Sequence, residues 1–178
     1  MSDTTTAPAA ADAATQAALE RLNTVIDRLI APDGCPWDST QTPESLTEYV
    51  IEECHELVDA IRSGKTADMV EELGDVAFLL LMIGKLMARA GGPSLADALE
   101  VEAAKMVRRH PHVFSDTTYE NQSEQLKDWD RIKREEKAAA DAEGPKGTYD
   151  SLPRGLPPLT KAYRIHSKAD RVGFTWPE

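Results

Sequence analysis

Cysteine is nearly absent from this sequence: Cys35 and Cys54 are the only two in 178 residues. That is too few for a disulfide framework and points to a reducing compartment. Positive charge is also short, with 20 Lys and Arg against 31 Asp and Glu for a formal charge of −11. This argues against broad attraction to nucleic-acid phosphate, and no nucleic-acid partner is expected. The longest apolar run, Val76 to Gly84, falls far short of the ~20 residues a membrane helix needs. The first 16 residues have neither a basic segment nor an apolar one, so no signal peptide is expected. No stretch alternates apolar and polar residues between turn signals, which leaves no candidate strand. These absences describe a cytoplasmic, membrane-free chain of the all-α class, a helix bundle with short connections.

What is present divides into three parts. Residues 1–16 are Ala/Thr-rich and are expected to be disordered. Residues 17–143 are expected to form the helical domain. Its first helix carries Leu19, Leu22, Val25, Ile26, Leu29 and Ile30 at helical spacing and stops at Ala31-Pro32-Asp33-Gly34. After the loop GCPWDSTQT, Thr42-Pro43-Glu44 reads as an N-cap, a Pro at the first position and an acid in the first turn of the second helix. Ser63-Gly64 separates that helix from a third, which starts near Thr66 and is apolar all round over 76–83, as expected of a central helix or one covered by a partner chain. Gly91-Gly92 ends it. Ser94 and Asp97 open a further helix in capping-box fashion, broken at Pro111, and another spans about Gln122 to Ala142. Residues 144–178 read as a Pro-rich linker and a last helix over Thr160–Arg171.

The chemistry concentrates in the second and third helices. Glu52-Glu53-x-x-Glu56 and Glu71-Glu72-x-x-Asp75 each place two carboxylates at i and i+3, neighbours on one helix face. Antiparallel packing across Ser63-Gly64 would bring four carboxylates to one spot. A charge run is most often only a solvated face. Here, two clusters lie on consecutive helices with apolar residues interleaved, and a hard divalent cation would turn their repulsion into binding; Mg²⁺ is the usual one where phosphates complete the shell. Glu52-x-x-His55 also has the form used by di-iron bundles, but the third helix carries no His to match it. Downstream, Lys105 and Arg109 share one helix face, as do Trp129 and Lys133. Their ordinary reading is a helix-dipole partner and a packing aromatic; in so acidic a chain they also make a phosphate clamp.

In order, GCPWDSTQT, EECHE, EELGD and KMVRRHPHVF resemble the MazG family of nucleoside triphosphate pyrophosphohydrolases, within the all-α NTP pyrophosphatase superfamily. The resemblance covers about residues 17–140. It implies a MazG-like helix bundle acting as a homodimer or dimer of dimers, and Mg²⁺-dependent hydrolysis (Mn²⁺ as a substitute) of an NTP or dNTP to the monophosphate and pyrophosphate, a clean-up of the nucleotide pool. Carried over by position, the metal ligands fall on Glu53, Glu56, Glu72 and Asp75, and the nucleotide-contacting residues on Lys105, Arg109, Trp129 and Lys133. Glu52 or Glu56 is the candidate to orient or deprotonate the attacking water. Some active members carry a Lys where this chain has Asp68, with Lys65 the nearest replacement. The tail from Leu156 resembles the linker that leads into a second module in two-module members, whose modules need not be equally active. A catalytically weak or idle nucleotide-binding, regulatory dimerisation module is the alternative, and a purely structural bundle the third reading.

Overall fold

The computed structural model describes residues 6–140, 147, 149–150, 152–171 and 173–174. It divides into two compact units, Met1–Lys105 and Met106–Glu178, and the expected 17–143 domain spans their boundary. All described secondary structure is helical, as the sequence predicts.

The first unit is built on α1 (Thr6–Leu29), α2 (Thr47–Ser63) and α3 (Thr66–Arg89), and α4 (Leu95–Arg109) contains the boundary. Residues 1–5 lie outside the described residues, and helix α1 starts at Thr6 rather than near Ala17. The stretch lacks an apolar stripe, but Ala is the strongest helix former, and Pro8 falls in the first turn where its missing N–H costs nothing. Helix α2 starts later than Thr42 suggests. Thr42 and Ser45 do exchange reciprocal bonds, backbone N–H to hydroxyl, at 3.0 and 3.2 Å, but these close a separate turn, and Leu46 stands at the N-cap without a side-chain bond.

Ile26, Ile30, Leu46, Leu79, Leu81, Met82 and Leu86 form the buried core, flanked by Leu22, Val50, Phe78, Ile83 and Leu95. The apolar run of α3 is therefore central on most sides, but Leu80 is 51% exposed. Two long-range ties hold α1 to α3: Lys85 Nζ donates to Asp27 at 2.6 Å, and Arg89 Nη1 donates to the Ile30 carbonyl at 2.9 Å. Arg89 Nη2 also reaches the Ser39 carbonyl at 3.4 Å, fixing the loop that contains the short 3-10 turn Asp38–Thr40. That loop needs Gly34, since a Cβ there would lie 2.3 Å from the Arg28 carbonyl oxygen and 2.4 Å from that of Leu29.

Gly64 makes the turn from α2 to α3. Its φ of 71° is left-handed, and its N–H reaches the carbonyls of Ala60 and Ile61 at 3.2 and 3.3 Å. A Cβ there would touch nothing, so Gly64→Ala isolates the backbone cost. The expected loss is about 1 kcal/mol, readable as a lower urea midpoint at unchanged slope.

Helix α4 opens as predicted, with Ser94 N–H bonded to Asp97 Oδ2 at 2.7 Å and Asp97 N–H to Ser94 Oγ at 3.3 Å. The side-chain bond from Ser94 holds the Asp97 carboxyl below its ordinary range. In the second unit Pro111 ends one helix and begins another: α5 (Pro111–Phe114) takes it at its first turn. Helices α6 (Gln122–Ala140) and α7 (Pro158–Arg171) follow, the latter starting two residues before the predicted Thr160. The expected end of α6 near Ala142 lies outside the described residues. Among the described residues no helix is long and apolar enough to cross a membrane.

Candidate functional site

Helices α2 and α3 run on either side of the Gly64 turn and pack against each other. One carboxylate oxygen each from Glu53, Glu56 and Glu72 lie within 4.8 Å of one another. Three of the four predicted ligands thus converge by distance alone. Asp75 joins them electrostatically: after partial burial, its charge is the strongest influence raising the Glu53 carboxyl, followed by Glu56 and Glu52. The Glu72 carboxyl is raised likewise, first by loss of water and then by Glu56, Glu53, Glu71 and Asp75.

Among the described residues none of the ion pairs involves Glu52, Glu53, Glu56, Glu71, Glu72 or Asp75. Lys65, the residue considered against Asp68, is paired with Asp68 itself at 3.5 Å. The cluster is therefore an all-oxygen, uncompensated donor set, which suits a hard cation. Glu53, Glu56 and Glu72 would hold such an ion through their carboxylate oxygens. Cys54 and His55 are exposed on α2, so neither is a core residue.

Of the predicted phosphate contacts, Lys105 pairs with Glu102 on its own helix and is half-buried. Arg109 donates from Nε and Nη2 to Glu136 Oε2 at 2.9 and 2.6 Å. Its guanidinium lies 5.7 Å from the centre of the Trp129 ring, and Trp129 meets His110 edge-on at 4.8 Å. Trp129 and Lys133 are both half-buried on α6. Glu136 was not singled out by the sequence, since Arg134-Glu135-Glu136-Lys137 has the look of an ordinary charged helix face. Its partners lie 27 and 28 residues earlier, and no local spacing signals them. The bond from Arg109, with a second from Arg108, holds the Glu136 carboxyl below its ordinary range. Further along, Tyr119 donates to Asp128 at 2.7 Å, and His112 bonds Gln125 through Nε2 at 3.1 Å, with its Nδ1 buried and unpartnered.

Residues 41–114 match the family described as the MazG nucleotide pyrophosphohydrolase domain. The nucleoside triphosphate pyrophosphohydrolase of Escherichia coli K12 is 38% identical over 89% of this chain, and the match spans 59% of that protein. The uncharacterised protein YabN of Bacillus subtilis is 41% identical over 79% of this chain, which spans 28% of YabN. The chain thus spans well under two thirds of these relatives' own length. Among solved structures, a MazG-related protein from Thermotoga maritima superposes with a TM-score of 0.55 at 29% identity, covering 64% of this chain and 97% of the other. With the acidic α2–α3 hairpin falling inside the matched residues, and relatives and solved structure agreeing on one kinship, residues 41–114 of the chain are a MazG nucleotide pyrophosphohydrolase domain.

Proposed function

We propose that the chain hydrolyses a nucleoside triphosphate, NTP or dNTP, to the monophosphate and pyrophosphate with Mg²⁺ bound at the acidic cluster. The observation that carries this reading is the convergence of carboxylate oxygens from Glu53, Glu56 and Glu72, none of them in an ion pair among the described residues. In this reading Glu53, Glu56, Glu72 and Asp75 would hold the metal, which would supply Lewis-acid polarisation of the phosphates. Glu52 or Glu56 orients the attacking water and takes its proton. Lys105 and Arg109 meet charge on the phosphates as the bond breaks, while Trp129 and Lys133 contact the nucleotide. The name of the E. coli relative supports the reaction class.

Exposed apolar residues on the two acidic helices, Ile51 at 60%, Val70 at 68% and Leu73 at 59%, support a homodimer. The scarcity of cysteine supports a cytoplasmic setting. The test is a panel of NTPs and dNTPs with Mg²⁺, resolving pyrophosphate from orthophosphate, with Asp75→Asn alongside. Pyrophosphate and monophosphate from the wild type alone are expected. Orthophosphate as the product would overturn the reaction type, and a folded protein that binds nucleotide without turnover would favour the regulatory module.

A further inference from the structure

Arg108 and Arg109 are consecutive on α4, and consecutive helical side chains diverge by about 100°. Both nevertheless reach one carboxylate. Arg108 Nε donates to Glu136 Oε1 at 3.0 Å, and Arg109 Nε and Nη2 donate to Oε2 at 2.9 and 2.6 Å. The acid accepts a single bond from Arg108 on one oxygen and two from Arg109 on the other. Two guanidinium groups share one carboxylate, so the trio keeps a net positive charge. Arg109 Nη1 and both Arg108 Nη groups donate to no protein acceptor among the described residues.

The environment of the two arginines differs. The Arg109 side chain is 13% exposed and the Glu136 side chain 19%, whereas that of Arg108 is 56% exposed. Arg109 is held from two sides, by Glu136 and by the Trp129 ring, itself braced edge-on by His110. A paired acid usually signals a resting surface salt bridge of little consequence. Here the geometry differs: both guanidinium groups are tied to one largely enclosed carboxylate, and their remaining donors meet no protein acceptor among the described residues. Adjacent forks of this kind suit an anion that offers oxygens on neighbouring phosphoryl groups.

We propose that Glu136 is a positioning residue that gathers Arg108 and Arg109 into one polyphosphate clamp, making Arg108 a second phosphate-binding residue. This deepens, and rests on, the triphosphate reading. Glu136 touches no substrate in this account; it acts through the arginines.

The test is calorimetric binding of inorganic triphosphate and of orthophosphate, with Mg²⁺, to the full chain and its variants, each first shown to melt cooperatively. Arg108→Ala and Glu136→Gln should each weaken triphosphate binding about five- to tenfold, in line with loss of a charge-assisted contact, and leave orthophosphate within about twofold. In an Arg108→Ala/Arg109→Ala background, Glu136→Gln should have no further effect on triphosphate. Wild-type affinity in Arg108→Ala overturns the second contact. An equal Glu136→Gln effect with and without the arginines overturns the positioning role and leaves a merely structural one. Either result leaves the hydrolase reading standing if the wild type binds triphosphate and turns over nucleotide. A folded wild type that binds no triphosphate overturns both.

Discussion

Glu72→Gln is expected to lower metal-dependent NTP hydrolysis about a thousand-fold or more, the several kcal/mol a bound metal supplies to a transition state, while making the metal-free protein harder to melt. The two effects have one cause. Glu53 and Glu72 sit among like charges and have lost part of their water, so their folded-state carboxyls are raised above ordinary Glu. For a raised acid the unfolded chain releases its proton first. The stabilising contribution is fully present below the unfolded pKa and is lost as pH rises through the folded one. At neutral pH the ionised cluster therefore works against the fold, and an amide at Glu72 removes part of that opposition. Bound Mg²⁺ runs the other way, since it requires the ionised form and stabilises by mass action. Melting curves with and without Mg²⁺, taken across the window just above the ordinary Glu range, check both signs. The wild type should gain more from Mg²⁺ as pH rises through that window, and Glu72→Gln should gain little anywhere. Equal Mg²⁺ stabilisation of the two proteins would remove Glu72 from the ligand set. Asp97, Asp128 and Glu136 are held below their ordinary ranges by hydrogen bonds, so their contributions fail only at more acid pH and do not confuse the readout.

On α3, Met82 is fully enclosed among Ile26, Leu46 and Leu86, while Leu80 is half open. Met82→Ala leaves a cavity and should cost about 3 kcal/mol, a fall of roughly 6–12 °C in melting temperature for a chain of this size. Leu80→Asp should behave differently. If the exposed apolar residues are covered by a second copy, it should leave secondary structure intact and shift the mass in sedimentation from dimer to monomer. An unchanged mass would release Leu80 from any such interface.

The bundle class was legible because each helix advertises itself by spacing: Leu22, Ile26 and Ile30 on α1, and the capping pair Ser94 and Asp97 on α4. The acidic site was legible for the same reason, since i, i+3 acids on helices joined by a Gly turn have few ways to avoid one another. Other features are not local. The start of α1 at Thr6 rests on Ala propensity, where the apolar period is silent. Thr42 carries a genuine N-terminal signal that Ser45 diverts into a separate turn. Pro111 reads equally well as an end and as a beginning, and here it is both. Glu136 meets Arg108 and Arg109 only after the chain has folded back, so its role is a property of three dimensions.

The ties between α1 and α3 carry a consequence for the order of folding. Lys85 to Asp27 and Arg89 to Ile30 close loops of 58 and 59 residues, whereas α2 and α3 are joined by a two-residue turn. Loop closure over such lengths costs entropy that the short turn avoids. The α2–α3 hairpin is thus expected to form first, with α1 docking once the last turn of α3 is in place. The acidic cluster lies wholly within that hairpin, so its carboxylates are expected to meet, and to repel one another, before α1 docks.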